Sequence, residues 1–191
     1  RIFHFGSVSL SAGTAVEATM NAVDYAKSCG KIVSFDVNYR APLFQNESEA
    51  VSMIRGALPY ADILKVSHEE MTLLTGETDP IIGSEKLCHN AALVLVSLGS
   101  QGAFYRNKTS YGHVDTYKVN TVDTTGAGDA FFGAILYQLR NMSLEEIRDL
   151  DGPSLDDIVD FANAAGAFST TKKGAIPSLP TLAEIKSILS R

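Results

Sequence analysis

Short apolar runs the length of a strand alternate along this chain with longer stretches of helical period, and that alternation limits the possible folds more than any other feature. The runs are Ile2-Phe3-His4-Phe5, Ile32-Val33-Ser34-Phe35 within residues 31–37, residues 62–66, and Leu93-Val94-Leu95-Val96. Between the first two, Val16, Met20, Val23 and Ala26 recur at helical spacing over residues 14–28, and Gly30 follows as a stop. Residues 48–58 read as a helix stopped by Pro59. A short helix is entered through Ser67, His68, Glu69 and Glu70, and another runs over residues 83–90. Strand, helix, strand with short turns is the pattern of βαβ units. It predicts an α/β fold with a mainly parallel sheet sandwiched between helices. After the fourth run, residues 103–106 and 109–119 read as an antiparallel hairpin. A long helix over 127–140, an acidic stretch over 149–157 and helices over 155–170 and 181–189 complete the chain, the last two flanking a Gly/Pro loop at 172–180.

With 191 residues the chain suits one sizeable domain, expected to span residues 1–191. Hydrophobic residues at 45% and charged residues at 20% exclude disordered, collagen-like and coiled-coil classes. The net charge of −6 argues against a nucleic-acid partner. It leaves phosphorylated ligands open, because backbone N–H groups hold phosphate without net positive charge. Cys29 and Cys88 lack metal-type spacing and read as small buried hydrophobes in a reducing compartment. No apolar run reaches the length of a membrane span and no secretion signal opens the chain, so the expectation is a cytoplasmic protein without a membrane partner. Arg1, in place of Met, leads directly into a strand-like run, as in a fragment of a longer chain.

Parallel sheets bind ligands at the carboxyl ends of their strands. Polar residues collect there: Gly6-Ser7, then Asp36, Asn38 and Arg40, then Ser67 to Glu70, then Gly99 to Gly102. A guanidinium at Arg40 suits a phosphate or a substrate oxygen, and equally a surface salt bridge. The densest chemistry lies in Thr121-Val122-Asp123-Thr124-Thr125-Gly126-Ala127-Gly128-Asp129, immediately before a strongly helical run. Glycines let the backbone turn and approach a ligand, and a helix start presents unpaired N–H groups carrying partial positive charge. An anion hole with a carboxylate one residue later supplies what phosphoryl transfer needs: charge stabilisation and a proton acceptor. The same residues also suit an ordinary N-cap. The run is neither a Walker A loop nor a dinucleotide fingerprint.

The stretch Asp123-Thr124-Thr125-Gly126-Ala127-Gly128-Asp129-Ala130-Phe131-Phe132-Gly133-Ala134 closely resembles the C-terminal signature of the ribokinase-like (PfkB) carbohydrate kinases. The resemblance runs from Phe3 to Pro180 and is greatest to the fructokinase branch, through Phe5-Gly6-Ser7, Phe35-Asp36-Val37-Asn38-Tyr39-Arg40 and Lys65-Val66-Ser67-His68-Glu69-Glu70. It implies an ATP-dependent sugar kinase using Mg²⁺, with Asp129 as general base and the N–H groups of Gly126, Ala127 and Gly128 as the anion hole. Glu70 would help organise Mg²⁺ and phosphate through water, with Ser67 where the family's motif has Asn. Ser97, Gly99 and Gly102 would line the nucleotide phosphates, and Asn163 and Gly166 would meet the adenosine. Asp36, Asn38 and Arg40 would face the substrate. Asp123 and Thr125, with Gly174 and Ser178 from the 169–178 loop, would hold a monovalent cation, usually K⁺. Family members are longer. Their opening strands, sugar lid and substrate-gripping residues are expected upstream of Arg1, the whole protein is expected to be a homodimer, and the exposed sheet edge favours association. A nucleoside kinase of the same superfamily and a non-catalytic kinase-like fragment are the competing readings.

Overall fold

The computed structural model describes residues 1–88 and 91–190. Its elements follow the expected alternation: β1 (Ile2–Gly6), α1 (Thr14–Ser28), β2 (Ile32–Asp36), α2 (Glu47–Ala57), β3 (Ile63–Ser67), α3 (His68–Thr75), α4 (Pro80–Leu87) and β4 (Leu93–Ser97). Each of these strands pairs in parallel with the next. Then β5 (Ala103–Asn107) and β6 (Tyr111–Val114) add an antiparallel hairpin, giving a six-stranded sheet in the order β1-β2-β3-β4-β5-β6. The chain continues through α5 (Ala127–Leu139), α6 (Leu144–Arg148), α7 (Gly152–Ser169) and α8 (Leu182–Leu189).

Because the parallel strands are added in one direction, right-handed crossovers bring α1 to α4 to the same face. The two halves of the core bear this out. Val33, Phe35, Leu64, Val66, Val94 and Val96 point toward Val23, Ile54, Met71 and Leu74 of those helices. Alternate residues Ile32, Ile63, Leu93 and Leu95 point the other way, toward Ile135 and Leu139 of α5, Val159 of α7 and Ile185 of α8. Period-2 alternation thus serves two apolar faces at once, so the strands read as continuous hydrophobic runs. Lys65, buried among them, is the exception that matters below.

Several boundaries differ from the sequence reading. β6 ends at Val114 instead of continuing to residue 119, because the Val114 and Asp115 carbonyls accept hydrogen bonds from the Asn163 amide on α7 at 3.0 and 3.2 Å. α6 lies where only an acidic stretch was read. A capping box between Ser143 and Glu146 starts it, and Ile147 is fully buried beneath it. α7 begins at Gly152, three residues early, because Asp151 caps it and Pro153 suits its first turn. α4 starts at Pro80 with Asp79 as cap, while the expected end of that helix at His89 and Asn90 lies outside the described residues. Cys29 is exposed at the end of α1 and Cys88 only half-buried, so neither is the buried hydrophobe expected of it.

Candidate active site

A cleft of about 690 Å³ opens at the carboxyl end of β4, between the β5–β6 hairpin and the start of α5. That volume falls in the usual range for small-molecule sites. Its lining gathers Ser97, Gly99, Gly102, Ala127, Gly128, Asn163 and Gly166, which are far apart in sequence. Two turn bonds shape the floor: the Leu98 N–H donates to the Gly102 carbonyl at 2.8 Å and the Gly102 N–H to that of Gly99 at 3.2 Å. Gly102 has φ +91°, and a Cβ there would collide with the Val114 carbonyl, so only glycine closes this turn. The opposite wall is residues 115–119, the segment released from β6. Tyr117 is anchored there by its hydroxyl, which donates to Asp160 at 2.8 Å; desolvation first, and that carboxylate second, push the phenol up to about 12.

At the start of α5, Gly126 stands in the left-handed region at φ +81° and turns the chain into the helix. The Ala127 N–H donates to the Thr124 carbonyl at 3.2 Å, so this member of the expected anion hole is engaged within its own turn. Among the described residues, the N–H groups of Gly126, Gly128 and Asp129 find no such partner. They are the orphan donors of a helix start, and the dipole reinforces them. Asp129 is exposed in this first turn.

On the sheet face that α5 covers lies a polar row from neighbouring strands: Ser34, Asp36 and Lys65, all buried, with His4 exposed at its outer end on β1. The His4 Nδ1 is 3.0 Å from the Ser34 Oγ, and the His4 ring meets Phe132 edge-on at 5.5 Å. Lys65 Nζ lies 3.0 and 3.2 Å from the two carboxylate oxygens of Asp36, with both side chains almost wholly buried. Burial pushes Asp36 up to about 6 despite the Lys65 charge, and the carboxylates of Glu70 and Asp129 contribute in the same direction. A Cβ built on Gly128 would stand 3.2 Å from Lys65 Nζ. A side chain at 128 would therefore press on this lysine. Lys65 carried no assignment in the sequence reading, although a charge inside Ile63-Leu64-Lys65-Val66 was a legible signal.

Asp36, Asn38 and Arg40 do not line the cleft. Asp36 is tied up with Lys65, Asn38 takes φ +38° after the end of β2, and Arg40 is exposed. Ser67 and Glu70 form the capping box of α3. Glu70 also reaches across: one oxygen accepts the Ser67 N–H and the other the Tyr39 N–H, both at 2.7 Å, which clasps the segment after β2 to the start of α3. The four residues expected at a cation site split between two loops that the structure joins. Asp123 accepts the Thr125 N–H at 2.9 Å and the Gly174 N–H at 3.0 Å, while Ser178 is buried with its hydroxyl donated to the Ala175 carbonyl at 2.7 Å. The Gly174 N–H first, and then Thr125, hold the half-buried Asp123 carboxyl down at about 2. Among the described residues, no group of three His, Cys, Asp or Glu side chains could hold a metal ion.

The profile of the pfkB family carbohydrate kinases matches residues 1–182. The chain is 43% identical over 194 residues to a probable fructokinase-2 of Arabidopsis thaliana, covering 99% of this chain and 57% of that protein. The crystal structure of a fructokinase with bound ATP from Xylella fastidiosa superposes with a TM-score of 0.89 at 31% identity, covering 99% of this chain and 61% of the other. A fructokinase double mutant from Vibrio cholerae O395, bound to fructose, ADP and a potassium ion, gives a TM-score of 0.88 at 32% identity, with 99% and 60% covered. The chain thus spans less than two thirds of the length of each of these proteins.

Proposed function

Since the chain belongs to the pfkB family of carbohydrate kinases, we propose that it forms the nucleotide-binding and catalytic part of an ATP-dependent fructokinase. The observation that carries this reading is a juxtaposition. Gly128, whose N–H is partnerless, lines the same cleft as Ser97, Gly99, Gly102, Asn163 and Gly166, and Asp129 follows it directly in the first turn of α5. ATP would lie along the cleft with its phosphates toward the start of α5. Asp129 would accept the proton of the attacking sugar hydroxyl as its oxygen bonds to the terminal phosphorus and the bond to ADP breaks. The orphan N–H groups and the helix dipole would hold the charge on the migrating phosphoryl group.

Mg²⁺ would neutralise phosphate charge when bound with ATP. The absence of a three-residue ligand cluster among the described residues suits an ion carried mainly by phosphates and water, with Glu70 organising that water. A K⁺ ion fits the joined loops, where Asp123 supplies one carboxylate beside Thr125, Gly174 and Ser178. Arg40 and Asn38, beyond the cleft, suit contact with the sugar. Among the described residues, no helix is long and apolar enough to cross a membrane.

The test is turnover by the full-length protein with ATP and a panel of fructose, other hexoses, ribose and nucleosides. ADP release and the mass of the product would be measured. Fructose phosphate formed in step with ADP is the expected result. Preference for a nucleoside would replace fructokinase by nucleoside kinase, and no phosphorylated acceptor at all would favour a binding-only protein.

A further inference from the structure

The cleft wall formed by residues 115–119 has little backbone support. It lies beyond the end of β6, and among the described residues no hydrogen bond from backbone to backbone ties residues 115–121 to another segment. Three fastenings replace the missing ladder, and all three come from α7 and its cap. The Asn163 amide donates to the Val114 and Asp115 carbonyls. The Tyr117 hydroxyl reaches both carboxylate oxygens of Asp160, at 2.8 and 2.9 Å. The Thr170 carbonyl accepts the Val122 and Asp123 N–H groups at 2.7 and 3.1 Å. At about 3.6 residues per turn, positions 160, 163 and 170 share one stripe of the helix. Asn163 and Thr170 thus hold the two ends of the segment, and Asp160 holds its middle. Tyr117 lines the cleft and its ring packs on the core, whereas Asp160 does not line the cleft. One turn earlier the same chemistry recurs without touching the cleft: the Tyr105 hydroxyl of β5 donates to Asp156 at 2.8 Å.

We propose that Asp160 is a positioning residue for the nucleoside end of the cleft. By accepting the Tyr117 hydroxyl it holds residues 115–119 in the conformation that receives base and ribose, and so sets nucleotide affinity without touching the ligand. The role rests on the nucleotide-binding reading above, in which the phosphates lie at the start of α5 and the nucleoside along this wall. A segment without ladder bonds samples other conformations. Apparent affinity then falls by the fraction of time the wall is in place, and ordering it on binding adds its own cost. A hydrogen bond to a carboxylate is about twice as strong as a neutral one, so a single bond at the middle of the segment weighs on that fraction. Desolvation first, and Asp160 second, push the Tyr117 phenol up to about 12, so the hydroxyl remains a donor across the working pH range.

The experiment is calorimetric titration of the full-length protein with ATP, ADP and tripolyphosphate, each with Mg²⁺. The proteins compared are the wild type, Tyr117→Phe, Asp160→Ala, the two combined, Asp160→Asn and Asp156→Ala. Tyr117→Phe and Asp160→Ala should each weaken ATP and ADP alike, by about threefold to thirtyfold. Tripolyphosphate should stay within about twofold, because it needs only the start of α5. The combined variant should be no worse than Asp160→Ala, since both changes remove one and the same bond. Asp160→Asn keeps an oxygen that accepts the hydroxyl and should recover most of the affinity, which also guards against a misfolded Asp160→Ala. Asp156→Ala breaks the matching bond to β5, and should lower the unfolding midpoint while binding nucleotide like the wild type. Unchanged nucleotide affinity in Asp160→Ala, an equal loss for tripolyphosphate, or an equal loss in Asp156→Ala would overturn the role and leave Asp160 an ordinary structural partner of Tyr117. A wild-type protein that binds neither nucleotide would overturn the functional reading and this inference with it. A protein that binds ATP through this wall but phosphorylates no acceptor would overturn the kinase reading alone and support this one.

Discussion

Asp129 and Gly102 make opposite demands on the site, one chemical and one steric. Asp129→Asn keeps shape but cannot accept a proton, so ATP affinity should stay within a few-fold while turnover falls on the order of 10²-fold or more. Near-normal turnover in that variant would remove Asp129 from the role of base. Gly102→Ala should act before any chemistry. Its φ of +91° is glycine territory and the added methyl would strike the Val114 carbonyl. A cost on the order of 1–3 kcal/mol should appear in urea unfolding, with ATP binding weakened because the turn floors the cleft. Unchanged stability would mean that the hairpin relaxes more easily than this packing allows.

The elements are held in place by a few clasps that join segments distant in sequence. Glu70 is one, since its carboxylate takes the N–H groups of both Tyr39 and Ser67. Glu70→Ala should destabilise the fold by about 2 kcal/mol, the usual scale for hydrogen bonds to a charged group. A loss of activity with unaltered unfolding would instead leave Glu70 a purely functional acid. Asp123 is a second clasp, tying the loop before α5 to the one before α8 through the Gly174 N–H. If K⁺ seats on the joined loops, turnover of the full-length protein should rise when K⁺ replaces Li⁺ at constant ionic strength. Equal rates in both salts would leave the Asp123 clasp structural and dispose of the cation.

For the molecule as a whole, the buried Asp36–Lys65 pair sets a pH dependence of stability. Asp36 is raised to about 6, above its unfolded value, so between the unfolded and folded pKa the native state binds more protons than the unfolded one. Linkage then makes stability fall as pH rises through that window; the contribution is fully present below the unfolded value of about 4 and is lost as pH passes the folded one. Relative to Asp36→Asn, the wild type should therefore gain stability as pH falls from about 7 to about 4.5. Parallel melting curves for the two proteins across that range would show that Asp36 ionises as if in water.

The sequence alone determined the alternation of β1 to β4 with α1 to α4, because two buried faces demand continuous apolar strands and each helix carries its own period and stops. It also determined the run from Asp123 to Asp129, because a glycine-bearing helix start followed by an acid is a local arrangement. What the tertiary structure alone decided is how groups from different elements use one another. Residues 109–119 read as one strand, but the Asn163 amide, dozens of residues away, takes the Val114 and Asp115 carbonyls and turns the remainder into a cleft wall. Asp36 read as a residue facing a ligand, but a lysine one strand over claims it, and which side of a strand end faces the cleft is set by the helix packed above it. α6 went unread because five residues carry too little period to register, and it is the burial of Ile147 together with the Ser143 capping box that makes them a helix. Lys65 shows the limit most clearly: its charge in an apolar strand was visible in the sequence, but only the fold put Gly128 against its ammonium, because that contact joins β3 to a helix start some sixty residues later.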